Sequence, residues 1–370
     1  MASNSSTRPK LALNTFGIAF GTAGIAGTWT AAGAELHAPQ VVGEVLWIVA
    51  AVVWVTTIVR YAVRAGGLPG VRDDLRHPVF GPFAALVPAV GSLLSAHLAG
   101  WLPVVGAVGA WTTAALSTAF GAWFVASLLT SPREPGTLHG GYLLPTVAAS
   151  LLTAQSLAAI GQQTLAVGFF ATGILFWLLI GAVLFARLAT GPALPPPLFP
   201  TLAILSAPPA VAGNAWWTIT GGTWSTVDTV LVSTMVAFLL PHVFLVRRYL
   251  RTGFAIGFWA MTFTAAASAT YGVRVLTTTG LGVVGTVAAW VVVAAATLLV
   301  GTIAVRSVGL LRAGRVPHAG RPDRSRSGPR RREWPAQAVP ERAVPSPHRV
   351  AFPRNDPVPR ASAHAPAEVF

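Results

Sequence analysis

Few side chains in this sequence could carry a proton. His77 stands in Arg76-His77-Pro78, just before the third of several long apolar runs. An imidazole titrates near neutral pH, so His77 is a candidate proton carrier. The same position also suits a residue that caps the start of a helix. His97 and His242 lie near the ends of other apolar runs, and both interpretations apply to them as well.

The residues needed for most enzyme chemistry are absent from this sequence. It contains no Cys, which excludes disulfides, thiolate metal sites and cysteine nucleophiles. It has no Walker lysine loop, no paired histidines at metal-ligand spacing, and no acid in the middle of any apolar run. The sequence therefore predicts no enzyme activity, no metal ion and no cofactor.

Small residues in the first apolar run could leave room for a pathway beside a helix. Gly17 and Gly21 are four residues apart, and Gly24 falls on nearly the same face. Such a face allows a neighbouring backbone to approach closely. It serves either to pack two helices together or to keep a pore open beside a thin helix.

Proline and hydroxyl residues mark the third, fifth and seventh runs. The third contains Pro88, and the fifth contains Pro145 and Ser150 among other small residues that suit either a water-filled path or tight packing. The seventh contains Pro208 beside Pro209, which predicts a broken helix.

Ten long apolar runs hold these residues, and about 20 apolar residues suffice for a helix to cross a bilayer. We predict spans near 12–33, 41–63, 80–99, 103–128, 142–160, 165–186, 200–218, 228–246, 254–276 and 283–305. The chain is 54% hydrophobic and only 10% charged, which is typical of an all-α polytopic membrane protein. The prediction comprises a cytoplasmic N-terminus over 1–11, a membrane domain over 12–306 and a disordered basic tail over 307–370.

Basic residues occupy alternate gaps between the spans, and basic loops stay in the cytoplasm. Both termini are therefore predicted to be cytoplasmic. Topology and attraction to anionic lipids account for the net charge of +14 without a nucleic-acid partner. Arg274 is the exception, because it lies near the end of the ninth span, on the side predicted to face away from the cytoplasm. It either attracts anions to an outer mouth or snorkels at the interface.

The distribution of proline predicts which spans lie inside. A proline frees a backbone carbonyl, and in lipid that group needs a protein or water partner. The odd-numbered spans include the proline-rich ones, whereas the second, sixth and tenth contain no proline. We therefore expect five helical hairpins around a central pore, with odd-numbered spans inside and even-numbered spans facing lipid.

Several motifs in this order resemble the tellurite-resistance/dicarboxylate transporter family, which includes bacterial tellurite-resistance protein A, malate permeases, sulfite efflux pumps and plant slow anion channels. They are Phe-Gly-x-x-x-Gly-Thr-x-Gly at 16–24, His77-Pro78, Leu-Pro-x-Val-Ala-Ala at 144–149, Ala207-Pro208 and Trp-Ala-x-x-Phe at 259–263. The resemblance covers about 12–306. Pro209 and Ser150 depart from the family pattern.

The resemblance implies a homotrimer in the plasma membrane with one pore in each subunit. It implies that Phe263 is the pore gate. The residue patterns above and these motifs together give the following candidates for pore-lining or helix-kink positions: Gly17, Gly21, Thr22, Pro88, Pro145, Ala149, Ser150, Pro208 and Thr262.

Three functions remain open at this point. The first is a channel or uniporter for small anions, of the slow-anion-channel type. The second is a proton-coupled exporter of C4-dicarboxylate, sulfite or tellurite, for which His77 would carry the proton. The third is a membrane receptor or regulatory module whose basic tail binds a partner.

Overall fold

The computed structural model describes residues 10–312, which form helices and no β-strand. The α-helices are α1 Gly17–Leu36, α2 Gln40–Arg64, α3 Gly67–Arg76, α4 Leu86–Leu98, α5 Pro103–Thr130, α6 Ala149–Ala159, α7 Gln163–Thr190, α8 Pro208–Ile219, α9 Thr226–Arg251, α10 Trp259–Thr278 and α11 Gly282–Arg312. Helix α11 continues past the domain boundary predicted at 306. The rest of the predicted tail lies outside the described residues.

Eight helical segments in the described residues are long and apolar enough to cross a membrane, so the protein is a multi-pass membrane protein. Helices α1 and α10 are not among the eight, although each contains 20 residues. Both are rich in small and hydroxyl residues, which lower their mean hydropathy. Length and composition therefore identify fewer spans than the ten predicted.

Tight helical turns precede five of the α-helices. Segments of 3-10 helix run over Leu13–Phe16, Gly81–Ala85, Gly140–Leu143, Pro196–Ser206 and Ile256–Phe258. The third continues as a π-helical turn, Leu144–Ala148. The predicted break in the seventh span is confirmed, because α8 begins at Pro208 directly after the longest 3-10 segment.

Burial divides the membrane-spanning segments into two groups. In the segments that contain α4, α6 and α8, 72%, 78% and 89% of the residues are buried. In α2, α5, α7, α9 and α11 the buried share is only 11% to 28%. The more buried segments are the third, fifth and seventh predicted spans, which the proline distribution places inside.

The contacts between helices follow the same division. Helices α1, α4, α6, α8 and α10, here called the ring helices, contact one another in this order, and α10 returns to contact α1. The outer helices α2, α5, α7, α9 and α11 each pack against two successive ring helices. Each outer helix thus covers one groove of the ring on the side away from its centre.

Helix α3 was not predicted from the sequence. It follows Gly66, whose positive φ of 76° is a conformation that glycine adopts readily. Asp74 on α3 accepts a hydrogen bond from the Tyr61 hydroxyl at 3.1 Å and pairs with Lys10 at 3.7 Å. These contacts attach the short helix to α2 and to the start of the described chain.

Candidate functional site

A cavity lies among the N-terminal halves of the ring helices; we call it the proximal cavity. All five ring helices or their preceding turns line it, for example with Gly17, Phe20, Phe83, Leu86, Leu144, Leu151, Ile204, Pro208, Trp259 and Phe263. Apart from Asn14 and Thr264, its lining residues carry no polar side chain except the indole of Trp259. The hydroxyl of Thr264 donates to the Ala203 carbonyl at 3.0 Å. The proximal cavity therefore offers an ion little polar contact.

A second cavity, the distal cavity, lies among the later residues of the same five helices. Its lining includes Ala23, Gly24, Leu93, Leu152, Val211, Asn214, Ala267 and Thr270. No residue of an outer helix lines either cavity in the described structure. The two cavities thus follow one another along the centre of the ring.

Phe263 lies between the two cavities and lines both of them. Only 6% of its surface is exposed. Its ring is stacked on that of Phe20 from α1, with centroids 3.5 Å apart and planes 16° from parallel. The Phe263 ring therefore occupies the space between the two cavities, with the Phe20 ring stacked on it.

The glycine face of α1 packs against α10 beside these rings. A Cβ atom added to Gly24 would lie 2.9 Å from Phe263 Cδ2, and one added to Gly21 would lie 2.7 Å from Thr262 Cβ. Gly17 is next to Trp259 and also lines the proximal cavity. The face therefore brings the two helices together and leaves room for the Phe263 ring.

The other residues predicted to line the pore or to lie at helix kinks have different positions. Pro208 lines the proximal cavity. Thr22 and Thr262 donate hydrogen bonds to the Ile18 and Trp259 carbonyls of their own helices. The following residues line neither cavity in the described structure: Gly21, Thr22, Pro88, Pro145, Ala149, Ser150 and Thr262. In this part of the chain, the neighbours Ala148 of the π-helical turn and Leu151 of α6 line the proximal cavity instead.

Arg274 lies next to the distal cavity, where Asn214 connects it to the lining. Its Nη1 atom donates to Asn214 Oδ1 at 2.9 Å, and its guanidinium lies 5.9 Å from the Trp217 ring centroid. The Asn214 amide donates to the Ala210 and Ala267 carbonyls. Arg274 forms no ion pair with a carboxylate of the described residues, although the charge of Glu35 lies close enough to act on it.

A buried polar network supports this end of the ring. The Tyr271 hydroxyl donates to a carboxylate oxygen of Asp228 at 3.1 Å, and Ser225 donates its backbone N–H and its hydroxyl to the same carboxylate. Tyr271 is one helical turn before Arg274. The network fixes α9 against α10 and thereby the helix that carries Arg274.

His77 lies away from both cavities. Its Nδ1 atom accepts hydrogen bonds from the backbone N–H groups of Val79 and Phe80, at 3.2 and 3.1 Å. Burial lowers the pKa of His77, and the nearby charge of Asp74 opposes this shift. His77 therefore caps the turn that leads into the Gly81–Ala85 segment.

Two residues of the site are not apparent from the sequence. Phe20 is one of 18 phenylalanines, and nothing in its local pattern indicates that it stacks on Phe263. Gln155 lines the distal cavity and makes no hydrogen bond to another described residue. The sequence does contain one clue to Gln155: it is an amide in an apolar span, and a polar side chain needs a partner in lipid.

Comparison with known proteins decides the family. The model of the SLAC1 family, described as voltage-dependent anion channel, matches residues 10–306. The chain belongs to this family. Its members are anion channels and transporters, so the resemblance inferred from the sequence motifs is confirmed.

Two relatives show how far the similarity of this SLAC1-family protein extends. The chain is 31% identical over 259 residues to the tellurite resistance protein TehA homolog of Haemophilus influenzae, covering 69% of this chain and 78% of that protein. It is 26% identical over 285 residues to the S-type anion channel SLAH2 of Arabidopsis thaliana, covering 70% of this chain and 51% of that channel.

Proposed function

We propose that the protein is a channel for small anions whose path runs through both cavities and is closed by the Phe263 ring. The position of Phe263 between the two cavities, stacked on Phe20, is the observation that supports this proposal. A bulky apolar group in a narrow path excludes water and so blocks ions, and hydrophobic constrictions gate by this means. Rotation of the ring would open the path.

The lining favours a channel over a proton-coupled exporter. No Asp, Glu or His is among the described residues that line either cavity. A carrier driven by protons or sodium ions commonly keeps such a group inside the membrane. Weak contacts suit a channel because an ion must leave as readily as it enters.

The distal cavity supplies the contacts that would favour an anion. The Asn214 amide and the Thr270 hydroxyl donate to backbone carbonyls of the ring helices. The Gln155 amide, in contrast, makes no hydrogen bond to another described residue, so its N–H groups can donate to an ion in the distal cavity. The charge of Arg274 attracts anions toward the same cavity, since a positive charge in weakly screened surroundings raises the local anion concentration.

The proposal includes ten spans, arranged as five hairpins with both termini in the cytoplasm. Helices α1 and α10 have 20 residues each, a length of about 30 Å that matches the hydrocarbon core. They lie against other helices and so do not need an apolar surface toward lipid. By family resemblance we further propose a homotrimer in the plasma membrane, with one path in each subunit.

Planar-bilayer recordings of the purified protein test the proposal. Phe263→Ala should produce a large constitutive anion conductance. Phe258→Ala is the matched control, because Phe258 is a buried phenylalanine close by in the chain that lines neither cavity. A correctly folded Phe263→Ala protein that conducts like the parent would exclude the gate. Flux that needs a proton gradient and is lost in His77→Ala would favour the exporter.

A further inference from the structure

A carboxylate lies at the end of the ring that follows the distal cavity. Helices α1 and α10 run side by side in the same direction, and Gly21 of α1 lies against Thr262 of α10. Further along both helices, Glu35 accepts a hydrogen bond from the Thr277 hydroxyl at 3.2 Å. Glu35 is half-buried near the end of α1. It therefore lies beyond the distal cavity, on two of the helices that line it.

Arg274 lies about one helical turn before Thr277 on α10. In the described structure Glu35 forms no ion pair with Arg274, yet its charge acts on the guanidinium. The Nη1 atom of Arg274 donates to Asn214, whereas Nε and Nη2 donate to no described residue and keep some accessible surface. The guanidinium can therefore donate to an anion as well as attract one.

Two other described carboxylates near this end have partners that bind them directly. Asp228 is fully buried within its own hydrogen-bond network, and Glu44 lies 3.0 Å from His97 Nε2. The carboxylate of Glu35, in contrast, is bonded only to the neutral hydroxyl of Thr277 among the described residues. Its negative charge therefore opposes the nearby positive charge more than that of either other acid does.

An anion responds differently to a single charge and to a pair of opposite charges. The energy of its interaction with one charge falls only as the inverse of the distance. When an opposite charge lies nearby, the two fields largely cancel at distances greater than their separation. Glu35 therefore shortens the range over which Arg274 attracts an anion and lowers the total attraction at the distal cavity.

We propose that Glu35 offsets the charge of Arg274 and thereby limits how tightly this end of the ring holds a small anion. The inference rests on the proposed path through the distal cavity. Without the carboxylate, the guanidinium would hold an anion more firmly and release it more slowly. Conduction requires that an ion leave as readily as it enters, so Glu35 sets the balance between the two.

Iodide tests this inference, because it is a small anion that quenches tryptophan fluorescence on contact. Trp217 is the reporter, since its ring centroid lies 5.9 Å from the guanidinium carbon of Arg274. Each protein is compared with the same protein carrying Trp217→Phe, and the difference isolates the Trp217 signal. The measurement uses the full-length protein in detergent at about pH 8, where histidine is uncharged.

Glu35→Gln removes the charge and keeps an oxygen that can accept the Thr277 hydrogen bond. In about 0.01 M salt it should raise iodide quenching of Trp217 about threefold, the effect of one unit charge at about 7 Å in water. In about 1 M salt the increase should nearly vanish through screening. Glu44→Gln is the matched control, because Glu44 is also half-buried near this end, and it should behave like the parent. Acrylamide, a neutral quencher, should not distinguish the variants.

Three quenching results would overturn the proposal. They are equal effects of Glu35→Gln and Glu44→Gln, an equal increase with acrylamide, and an increase that persists in 1 M salt. Quenching needs no open path, so it tests Glu35 even if Phe263→Ala fails to conduct, which is the result that excludes the gate. If Phe263→Ala conducts, adding Glu35→Gln should lower the half-saturating anion concentration about threefold, and an unchanged value also overturns the proposal.

Discussion

The Phe20 ring lies nearly parallel to the Phe263 ring at a centroid distance of 3.5 Å, so the residue between the cavities is held by a second ring from another helix. Such stacking contributes about 0.5–1.5 kcal/mol beyond the burial of area. Phe20→Ala should therefore make the Phe263 ring mobile and give a conductance between those of the parent and Phe263→Ala. Single-channel recordings measure this.

Phe16→Ala is the control for Phe20→Ala. Phe16 is a buried phenylalanine of the preceding 3-10 segment and lines neither cavity. Its loss should lower stability by about 3–5 kcal/mol without opening the path. Equal conductance in the two variants would mean that general loosening, rather than the stacked ring, controls the path.

Gly24 and Gly27 provide a second matched pair on α1. A Cβ atom at Gly24 would lie 2.9 Å from Phe263 Cδ2, whereas one at Gly27 would meet nothing closer than 4.0 Å. Gly24→Ala should therefore displace the ring and raise basal conductance, and Gly27→Ala should behave like the parent. Indistinguishable currents from the two variants would contradict this role of Gly24.

Gln155 should influence permeation when the path is open. In the Phe263→Ala background, Gln155→Glu places a carboxylate in the distal cavity and should reduce anion current severalfold, because like charges repel. Gln162→Glu adds the same charge at an exposed position beyond α6 and should have little effect. Currents under matched anion gradients distinguish them, and equal reductions would assign the effect to surface charge.

Arg274 should increase anion entry in a salt-dependent way. Screening weakens its field as ionic strength rises, with a Debye length of about 30 Å at 0.01 M salt and about 3 Å at 1 M. Arg274→Gln should therefore lower flux more at low salt than at high salt. A reduction that is the same at every salt concentration would indicate instead that Arg274 only fixes Asn214.

His139 should make stability depend on pH below neutrality. Burial lowers its pKa from 6.5 to about 4, the bond to the Val79 carbonyl opposes this, and the Arg187 charge adds to the lowering. Between these values the unfolded chain binds a proton that the folded protein does not, so stability falls as the pH drops. His139→Gln should flatten the melting temperature between pH 6.5 and 4. Parallel curves would contradict the assignment.

Eight of the predicted spans coincide with helical segments long and apolar enough to cross a membrane, because each depends on a local run of apolar residues. For example, the run near 103–128 became α5, Pro103–Thr130, and the double proline at 208 marked the break before α8. These features need no knowledge of neighbours. Helix α3 was missed because its ten residues include two glycines, a proline and four charged residues between two spans, a composition that resembles a loop.

The details of the site depend on contacts between distant residues, which a single sequence does not reveal. Phe20 and Phe263 are far apart in the chain, and Arg187 holds a loop that precedes it by about 50 residues. In α6 the proline motif indicated the right helix. The face toward the cavity was not predictable, because a π-helical turn shifts the register there.

The outer helices contribute nothing to the wall of either cavity, and this separation has a consequence for how the molecule can vary. In the proposed channel, the outward faces of these helices meet the surrounding bilayer or a neighbouring subunit, whereas the ring alone determines conduction. On this proposal, substitutions on the outward faces of α2, α5, α7, α9 and α11 can adapt the protein to a different membrane without altering which ions pass. Substitutions in the ring helices could in turn change which solute passes, while the outer helices stay the same.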